Sequence, residues 1–343
     1  MDIPDVRILS VGTALPGPAL DNAALARRFQ MDALWEQWID AFVGTDLRHL
    51  AVDLESGEIR SSLAELGETA ARRALESAGL GPGDITGMVL GTATPDQLMP
   101  ATVNLIADRL GINDVPTYQL QSGCSGAIQA LELGRQMLLT GQHRNVLVLG
   151  GDVCAKHLDV TLDLRSLSPA ELVNVVLFGD AAGAAVLTTD PVPGTASFRH
   201  IYTRLTGLNR PPGQTVEWFG LTDRGSDKPG VYEDYKAIES SVPTMSVEIA
   251  KEILDHLGWQ DTDVDYLLPP QLSGKMTDRI VAELGMPGAE EISCVRETAN
   301  TGNAVPFLQL ERALPQMTEG DRALCVAVES SKWIKAGFAL EKV

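Results

Sequence analysis

The chain has no surplus of basic residues, no long apolar run and no closely spaced cysteines. It sets 27 lysines and arginines against 46 acidic side chains, for a formal charge of −19. A nucleic-acid binder needs a basic footprint to neutralise phosphates, so no nucleic-acid partner is expected. No stretch approaches the roughly 18 uninterrupted apolar residues of a membrane-spanning helix. The opening MDIPDVRILSVG places acids before a short strand, where a secretory leader would place bases before an apolar segment. Four cysteines, Cys124, Cys154, Cys294 and Cys325, stand far apart with no CxxC pair. That spacing argues against a zinc site and against a disulfide scaffold, and it fits a reducing cytoplasm. With 44% hydrophobic and 21% charged residues over 343 positions, the chain is long enough for two domains or one large doubled unit.

Every thiol is thus free, and only Cys124 is embedded in glycines, in YQLQSGCSGAIQALELG (118–134). A strand-like run precedes it and a helical pattern follows. A cysteine at a strand-to-helix corner faces a helix N-terminus, which favours the thiolate and predicts a lowered pKa and a nucleophile.

The pattern around this corner occurs twice. LAELGETAARRALESAGLGPGDITGMVLGTATPD has a helix, a glycine stop, an acidic turn and an apolar strand, and SVEIAKEILDHLGWQDTDVDYLLPPQL has the same order. Second helices then end in IADRLGI and IVAELGM. Each is followed by a strand, a glycine-bearing corner, a third helix and a final strand, NVLVLGGDV or RALCVAVESS. Gly111 and Gly285 are displaced by 174 residues, which maps Cys124 close to Asn300 with a gap of two. Short apolar strands of this kind belong to sheets covered by helices on both faces, so a layered α/β/α/β/α body is expected. The halves divide near LTTDPVPGTAS (187–197), giving 1–190, which carries the nucleophile, and 191–343. Two segments exceed ordinary connections, 157–174 and 206–235, and are candidates for a lid, a tunnel wall or a dimer contact.

At Cys124 and its repeat partner the sequence resembles the thiolase superfamily, and within it β-ketoacyl-acyl-carrier-protein synthase III and its acyltransferase relatives of polyketide pathways. WIDAFVGTDLRHLA (38–51) is similar to the family's W-I-x-x-x-x-G-I-x-x-R segment, QSGCSGAIQAL to the nucleophile corner, and VVLFGDAAGAAVL (175–187) to F-G-D-G-A-G-A. ANTGNAVPFLQLERAL resembles G-N-T-S-A-A-S-x-P with one residue fewer, placing the family's asparagine at Asn300. The resemblance implies a duplicated thiolase-like αβαβα fold, a homodimer, and a Cys124 that takes an acyl group from a coenzyme A or acyl-carrier-protein thioester. Coenzyme A or phosphopantetheine then serves as substrate carrier and no cofactor is permanently bound. Trp38 matches a tryptophan that stacks on the adenine of coenzyme A, and Arg48 a family arginine near the same mouth. Trp38 also suits a packing role on its helix, beside Trp35.

Three departures bear on the chemistry, one of them the extended 157–174 segment, where the family is shorter. Where the family has a V-P-H-Q-A-N type motif this chain reads LLPPQLSG (267–274), so the histidine position falls on Pro270, while a glutamine survives as Gln271. That histidine, with the asparagine, polarises the malonyl thioester carbonyl as carbon dioxide leaves. Proline has no proton to give, and an amide is no general base at neutral pH. The family's G-G-G-F loop reads ESSKW (329–333), where Ser330 and Ser331 would crowd the acyl carbonyl or supply hydroxyl donors. His157 and His200 are candidates to approach the tunnel, and His49 follows Arg48 near the expected cofactor mouth, while His143 and His256 read as surface or satisfied residues and Asp96 as a solvated turn carboxylate. The leading expectation is an acyltransferase that forms an acyl-Cys124 and passes the acyl group to an alcohol, an amine or a preformed carbon nucleophile. The alternatives are a true condensing synthase relying on Gln271 and Asn300, and a non-catalytic partner subunit of a homologous synthase.

Overall fold

The computed structural model describes residues 4–167, 169–218, 225 and 230–343. Strand β1 (Arg7–Ala14) is followed by a small ribbon, β2 (Leu20–Asp21) with β3 (Leu47–Arg48), that encloses helices α1 (Asn22–Arg28) and α2 (Ala33–Trp38). The first copy of the repeat then runs α3 (Leu63–Ala78), β4 (Gly87–Gly91), α4 (Thr102–Leu110), β5 (Thr117–Leu120), α5 (Gly126–Leu139) and β6 (Asn145–Asp152). Helix α6 (Pro169–Leu177) and strand β7 (Ala181–Thr188) complete it. The second copy opens with β8 (Ala196–Leu205) and a ribbon of β9 (Gln214–Val216) and β10 (Val231–Glu233). It continues with α7 (Tyr235–Leu257), β11 (Tyr266–Leu268), α8 (Gly274–Leu284), β12 (Glu290–Glu291), α9 (Val295–Thr298), α10 (Val305–Ala313), β13 (Arg322–Glu329) and β14 (Ile334–Lys342).

Ten strands lie in the order β12-β11-β13-β14-β8-β1-β7-β6-β4-β5. Outward from the middle, β1-β7-β6-β4-β5 and β8-β14-β13-β11-β12 have the same order, so each half repeats the other's topology. Within the sheet the two halves are joined by the pairing of β1 with β8, Arg7 with Ser197 and Ile8 with Ala196. Every residue of β4, β6 and β7 is buried, as strands covered on both faces must be. Helix α3 packs on β1 and β7, and α7 on β13 and β14. Between the two sheets run α5, touching strands of both halves, and α10, against β1, β7 and β11. This is the layered αβαβα fold.

Local chemistry sets the ends of these elements. Ser62 and Glu65 form a reciprocal capping box at the start of α3, and the Asp96 carboxylate takes the N–H groups of Leu63 and Ala64 at 2.8 Å. Asp96 is therefore a helix-capping group rather than a solvated turn. Among the described residues no helix is long and apolar enough to cross a membrane.

The repeat register differs from the sequence expectation. Gly123 (φ 49°) and Gly302 (φ 56°) are the matching corner residues, each opening one 3₁₀ turn before α5 or α10. The counterpart of Cys124 is therefore Asn303 and not Asn300. The second copy inserts α9 between β12 and its corner, so the displacement grows from 174 residues at Gly111 to 179 at Gly123.

Candidate active site

The two corners converge at the middle of the molecule. Asn303 accepts the Ala127 N–H of α5 at 2.8 Å, and its backbone and side-chain N–H groups both donate to Asp152 Oδ2 at 2.8 Å. The other oxygen of Asp152 accepts from Thr92, Ala93 and Thr94. Asp152, 2% exposed at the end of β6, thereby ties both corners to one strand. The asparagine in the place of the second copy's "cysteine" serves as a cap for the helix that follows the real one.

Cys124 opens onto a narrow cavity of about 30 Å³ shared with Pro270, Gln271, Asn300 and Gln309. Three positions that the sequence singled out thus come together around the thiol: Pro270 and Gln271 from the loop after β11, and Asn300 from the loop after α9. Asn300 is fixed through its backbone, donating to Leu177 O and accepting from Gly179, both at 3.0 Å. Its Oδ1 accepts the Gly302 N–H at 3.0 Å, while its Nδ2 has no hydrogen-bond partner among the described residues. The amide nitrogen is therefore a free donor at the cavity. The preceding Ala299 sits at φ 58°, ψ −168°, a glycine-like conformation that costs an alanine about 1–3 kcal/mol. The two backbone bonds of Asn300 and the burial of Ala299 hold it there.

Other sequence candidates do other work. Gln271 Oε1 accepts from Ser293 Oγ and from the N–H groups of Cys294 and Val295 at 2.8–2.9 Å, and its Nε2 donates to Pro269 O. It secures the entry to α9, and its oxygen is fully engaged there. His200 lies on β8 with its ring stacked 4.0 Å from His256, its pKa pushed down to about 4 by burial and that neighbour. His157 is exposed in the turn after β6. Neither histidine lines the cavity. Ser330 contributes its carbonyl to Gly213 N–H; the serine that reaches inward is Ser331.

Arg48 is 0% exposed, donates to Asn22 Oδ1 at 2.9 Å and Val176 O at 3.4 Å, and leaves Nε and Nη1 unpaired. Burial pushes its pKa down to about 10. It is a buried strut joining the β2–β3 ribbon to α6 rather than a surface clamp for a cofactor phosphate. Trp38, by contrast, is half-buried at the end of α2, its ring 6.3 Å from that of the exposed Phe42. These two rings offer an aromatic surface at the protein exterior.

The electrostatics of Cys124 run opposite to the expectation of a lowered pKa. Burial raises the thiol well above its ordinary value, and the carboxylates of Glu329, Asp152 and Glu233 reinforce the shift. The helix N-terminus does not compensate, because Glu329 already accepts the Cys124 N–H. Glu329, 1% exposed at the end of β13, also accepts the Ser331 N–H at 2.6 Å. Sequence reasoning passed over this residue although ESSKW was noted as a departure; an acid in a place where the family is glycine-rich was the available signal.

Parts of both long segments approach the site. Glu233 on β10 hydrogen-bonds Asn174 of α6 and Gln214 of β9, so the 157–174 and 206–235 segments meet close to the thiol. The remainder of the second segment, 219–224 and 226–229, lies outside the described residues.

The fold and a cysteine at the central corner define a thiolase-fold enzyme of the acyl-transferring, condensing kind. Comparison with known proteins specifies it. Models of 3-oxoacyl-[acyl-carrier-protein (ACP)] synthase III match residues 118–203, and of its C-terminal part residues 254–330. Beta-ketoacyl-[acyl-carrier-protein] synthase III 3 of Streptomyces coelicolor is 32% identical over 334 residues, covering 93% of this chain and 92% of that protein. The chain belongs to the 3-oxoacyl-[acyl-carrier-protein] synthase III family. Among solved structures, AbyA1, a tetronic acid condensing enzyme, is 60% identical with a TM-score of 0.95, covering 98% of this chain and 99% of its own. The priming β-ketosynthase of the R1128 polyketide biosynthetic pathway is 25% identical with a TM-score of 0.81, covering 99% and 98%.

Proposed function

We propose that the protein is a condensing acyltransferase of polyketide-type metabolism that carries its acyl group on Cys124 and passes it to a carbon nucleophile already acidified by neighbouring carbonyls. One observation carries this reading: Cys124 shares its cavity with the free amide nitrogen of Asn300 and with a proline where a decarboxylating family member has histidine. Without that histidine the Asn300 amide stands alone where a decarboxylating member has two groups to polarise a malonyl thioester as it loses carbon dioxide. A 3-oxoacyl thioester needs no such help, because two carbonyls already stabilise its enolate.

The similarity to a tetronic acid condensing enzyme fits this choice. A tetronic acid ring contains one acyl carbon–carbon bond and one ester bond. Both form when a 2-hydroxyacyl group on Cys124 is attacked by the α-carbon of a 3-oxoacyl thioester. The sulfur of Cys124 leaves, and the 2-hydroxyl then closes on the remaining thioester and expels its carrier thiol. Asn300 Nδ2 is placed to donate to a carbonyl oxygen during the attack. The donor reaches the site on coenzyme A or on the phosphopantetheine of a carrier protein, with Trp38 and Phe42 as the aromatic surface for an adenine. A homodimer is part of this proposal: β5 lies at an open end of the sheet, an edge that proteins ordinarily cover.

The test is intact-protein mass spectrometry after incubation with acetyl-, lactoyl- and acetoacetyl-thioesters of coenzyme A and of an acyl carrier protein. A gain of one acyl group on the wild type and none on Cys124→Ala is the expected result. Product analysis with lactoyl and acetoacetyl donors together should show a lactone, with no carbon dioxide released. Failure of every donor to load the wild type would refute the acyl-cysteine. Loading followed by carbon dioxide release from a malonyl thioester would instead favour decarboxylative condensation.

A further inference from the structure

We propose that Glu329 is the catalytic base of this site, taking the proton of the Cys124 thiol as the sulfur attacks the donor thioester. The inference rests on the acyl-cysteine reading above and assigns its first proton transfer to a residue.

The placement comes from the fold. Glu329 is the last residue of β13, and its carboxylate fills the space in which a side chain at Gly123 would stand. One carboxylate oxygen accepts the backbone N–H of Cys124 and the other that of Ser331. The negative charge of the same side chain bears on the Cys124 thiol. Among the described residues no imidazole or carboxylate lines the cavity: Pro270 has no titratable group, Gln271 and Asn300 are amides, and His157 and His200 lie elsewhere. The other groups bearing on the thiol are Asp152, Glu233 and Cys154. Asp152 spends both oxygens on Thr92, Ala93, Thr94 and Asn303, and Glu233 is held by Asn174 and Gln214. A thiol whose proton is held tightly needs a partner to accept it, and Glu329 is the carboxylate bonded to the cysteine's own N–H. Burial raises the Glu329 carboxyl as well, which brings it nearer to the thiol it must deprotonate.

The step balances. The thiol proton passes to the Glu329 carboxylate as the sulfur lone pair forms the carbon–sulfur bond to the donor carbonyl. The tetrahedral intermediate collapses with loss of the carrier's sulfur, which takes the proton back from Glu329 and leaves as a free thiol. Protonation also changes the backbone contact: a neutral carboxyl accepts hydrogen bonds more weakly than a carboxylate does. The Cys124 N–H is thereby released toward the carbonyl oxygen as negative charge develops there. One residue then couples activation of the nucleophile to opening of the oxyanion site.

The experiment is single-turnover loading of Cys124 by whichever probe thioester of the preceding panel loads the wild type, followed by mass spectrometry from pH 5 to 10. Wild type, Glu329→Gln and Glu329→Asp are compared, with circular dichroism and melting temperature as folding controls. The base role predicts that E329Q loads at least about 100-fold more slowly at pH 7. Its rate should then climb tenfold per pH unit as the thiol ionises unaided, whereas E329D keeps a flat profile near neutrality. Were Glu329 only a neighbouring charge, E329Q would ease ionisation of the thiol and load as fast as the wild type or faster, and that result overturns the proposal. If E329Q does not fold, a folded E329D whose rate climbs tenfold per pH unit overturns it equally. A wild type that no thioester loads removes the acyl-cysteine itself, and the base with it, an outcome visible before any variant is compared.

Discussion

Two glycines with almost the same backbone provide a controlled test of how the corners are held together. Gly285 ends α8 at φ 66°, and nothing stands within 4 Å of where a β-carbon would project. Gly302 opens the second corner at φ 56°, but its β-carbon would be driven into the Asp152 carboxylate, 3.0 Å from Cγ and 3.3 Å from Cβ, with one oxygen nearer still. Placing alanine in the left-handed region costs about 1–2 kcal/mol wherever it occurs. Gly285→Ala should cost only that. Gly302→Ala should add the displacement of Asp152 Oδ2 from the two Asn303 donors at 2.8 Å, and hydrogen bonds to a charged acceptor contribute about 1.5–3 kcal/mol each. Allowing for partial relaxation, the total is about 4–6 kcal/mol, a large part of the stability of an ordinary domain. Equilibrium urea unfolding followed by the fluorescence of the five tryptophans measures both variants on one scale. A gap of about 3 kcal/mol or more between them is expected. If the two alanines fall within about 1 kcal/mol of each other, Asp152 is not the tie between the corners, and the account of how Cys124 is positioned fails with it.

Two further predictions use groups around the site. Asp180 is fully buried, accepting the N–H groups of Ala51 at 2.7 Å and Ala155 at 3.0 Å, and burial pushes its carboxyl up to about 6. The folded state holds this proton more tightly than the unfolded chain does, so the Asp180 contribution is present at low pH and declines as pH rises from about 4 to about 6. The loss amounts to about 3 kcal/mol. The unfolding free energy of the wild type relative to Asp180→Asn should fall by that amount across the window, and a difference independent of pH would contradict it. Trp38→Ala should raise KM about two- to tenfold for a coenzyme A-borne donor at unchanged kcat, since stacking on one ring contributes about 0.5–1.5 kcal/mol. Steady-state kinetics with the same acyl group on both carriers checks this: no change on either carrier would leave Trp38 a packing residue alone.

Much of the fold was legible because the duplication writes it twice. Helix, glycine stop, acidic turn and buried strand recur in order, and the structure shows sheets of identical strand order built from them. Register was less legible. A gap inferred from Gly111 and Gly285 could not foresee α9, a single helical turn whose entry is secured by Gln271 through contacts at long range. The alignment therefore slipped three residues, and Asn300 stood where Asn303 belongs. Asn300 still proved to line the cavity because its assignment came from the motif it resembles and not from the repeat.

The site was legible where a residue type alone constrains the chemistry and illegible where burial sets it. A cysteine between glycines at a strand-to-helix corner is informative whatever surrounds it, and so is a proline in place of a histidine. The direction of a pKa is different, because it sums contributions from residues far apart in sequence. Cys124 and Glu329 are separated by 205 positions, and only the closing of β13 against the first corner brings the carboxylate to the thiol. The helix N-terminus that should have favoured the thiolate has its N–H taken by the same carboxylate, so one contact reverses the expectation twice. The glycine at 123 is then needed for two reasons, a left-handed turn and an empty β-carbon position, and the second cannot be read without knowing what occupies it. Loss of the family histidine and gain of a buried acid at the end of β13 are complementary changes under the proposed reaction: the first disfavours decarboxylation, and the second supplies a carboxylate beside the nucleophile.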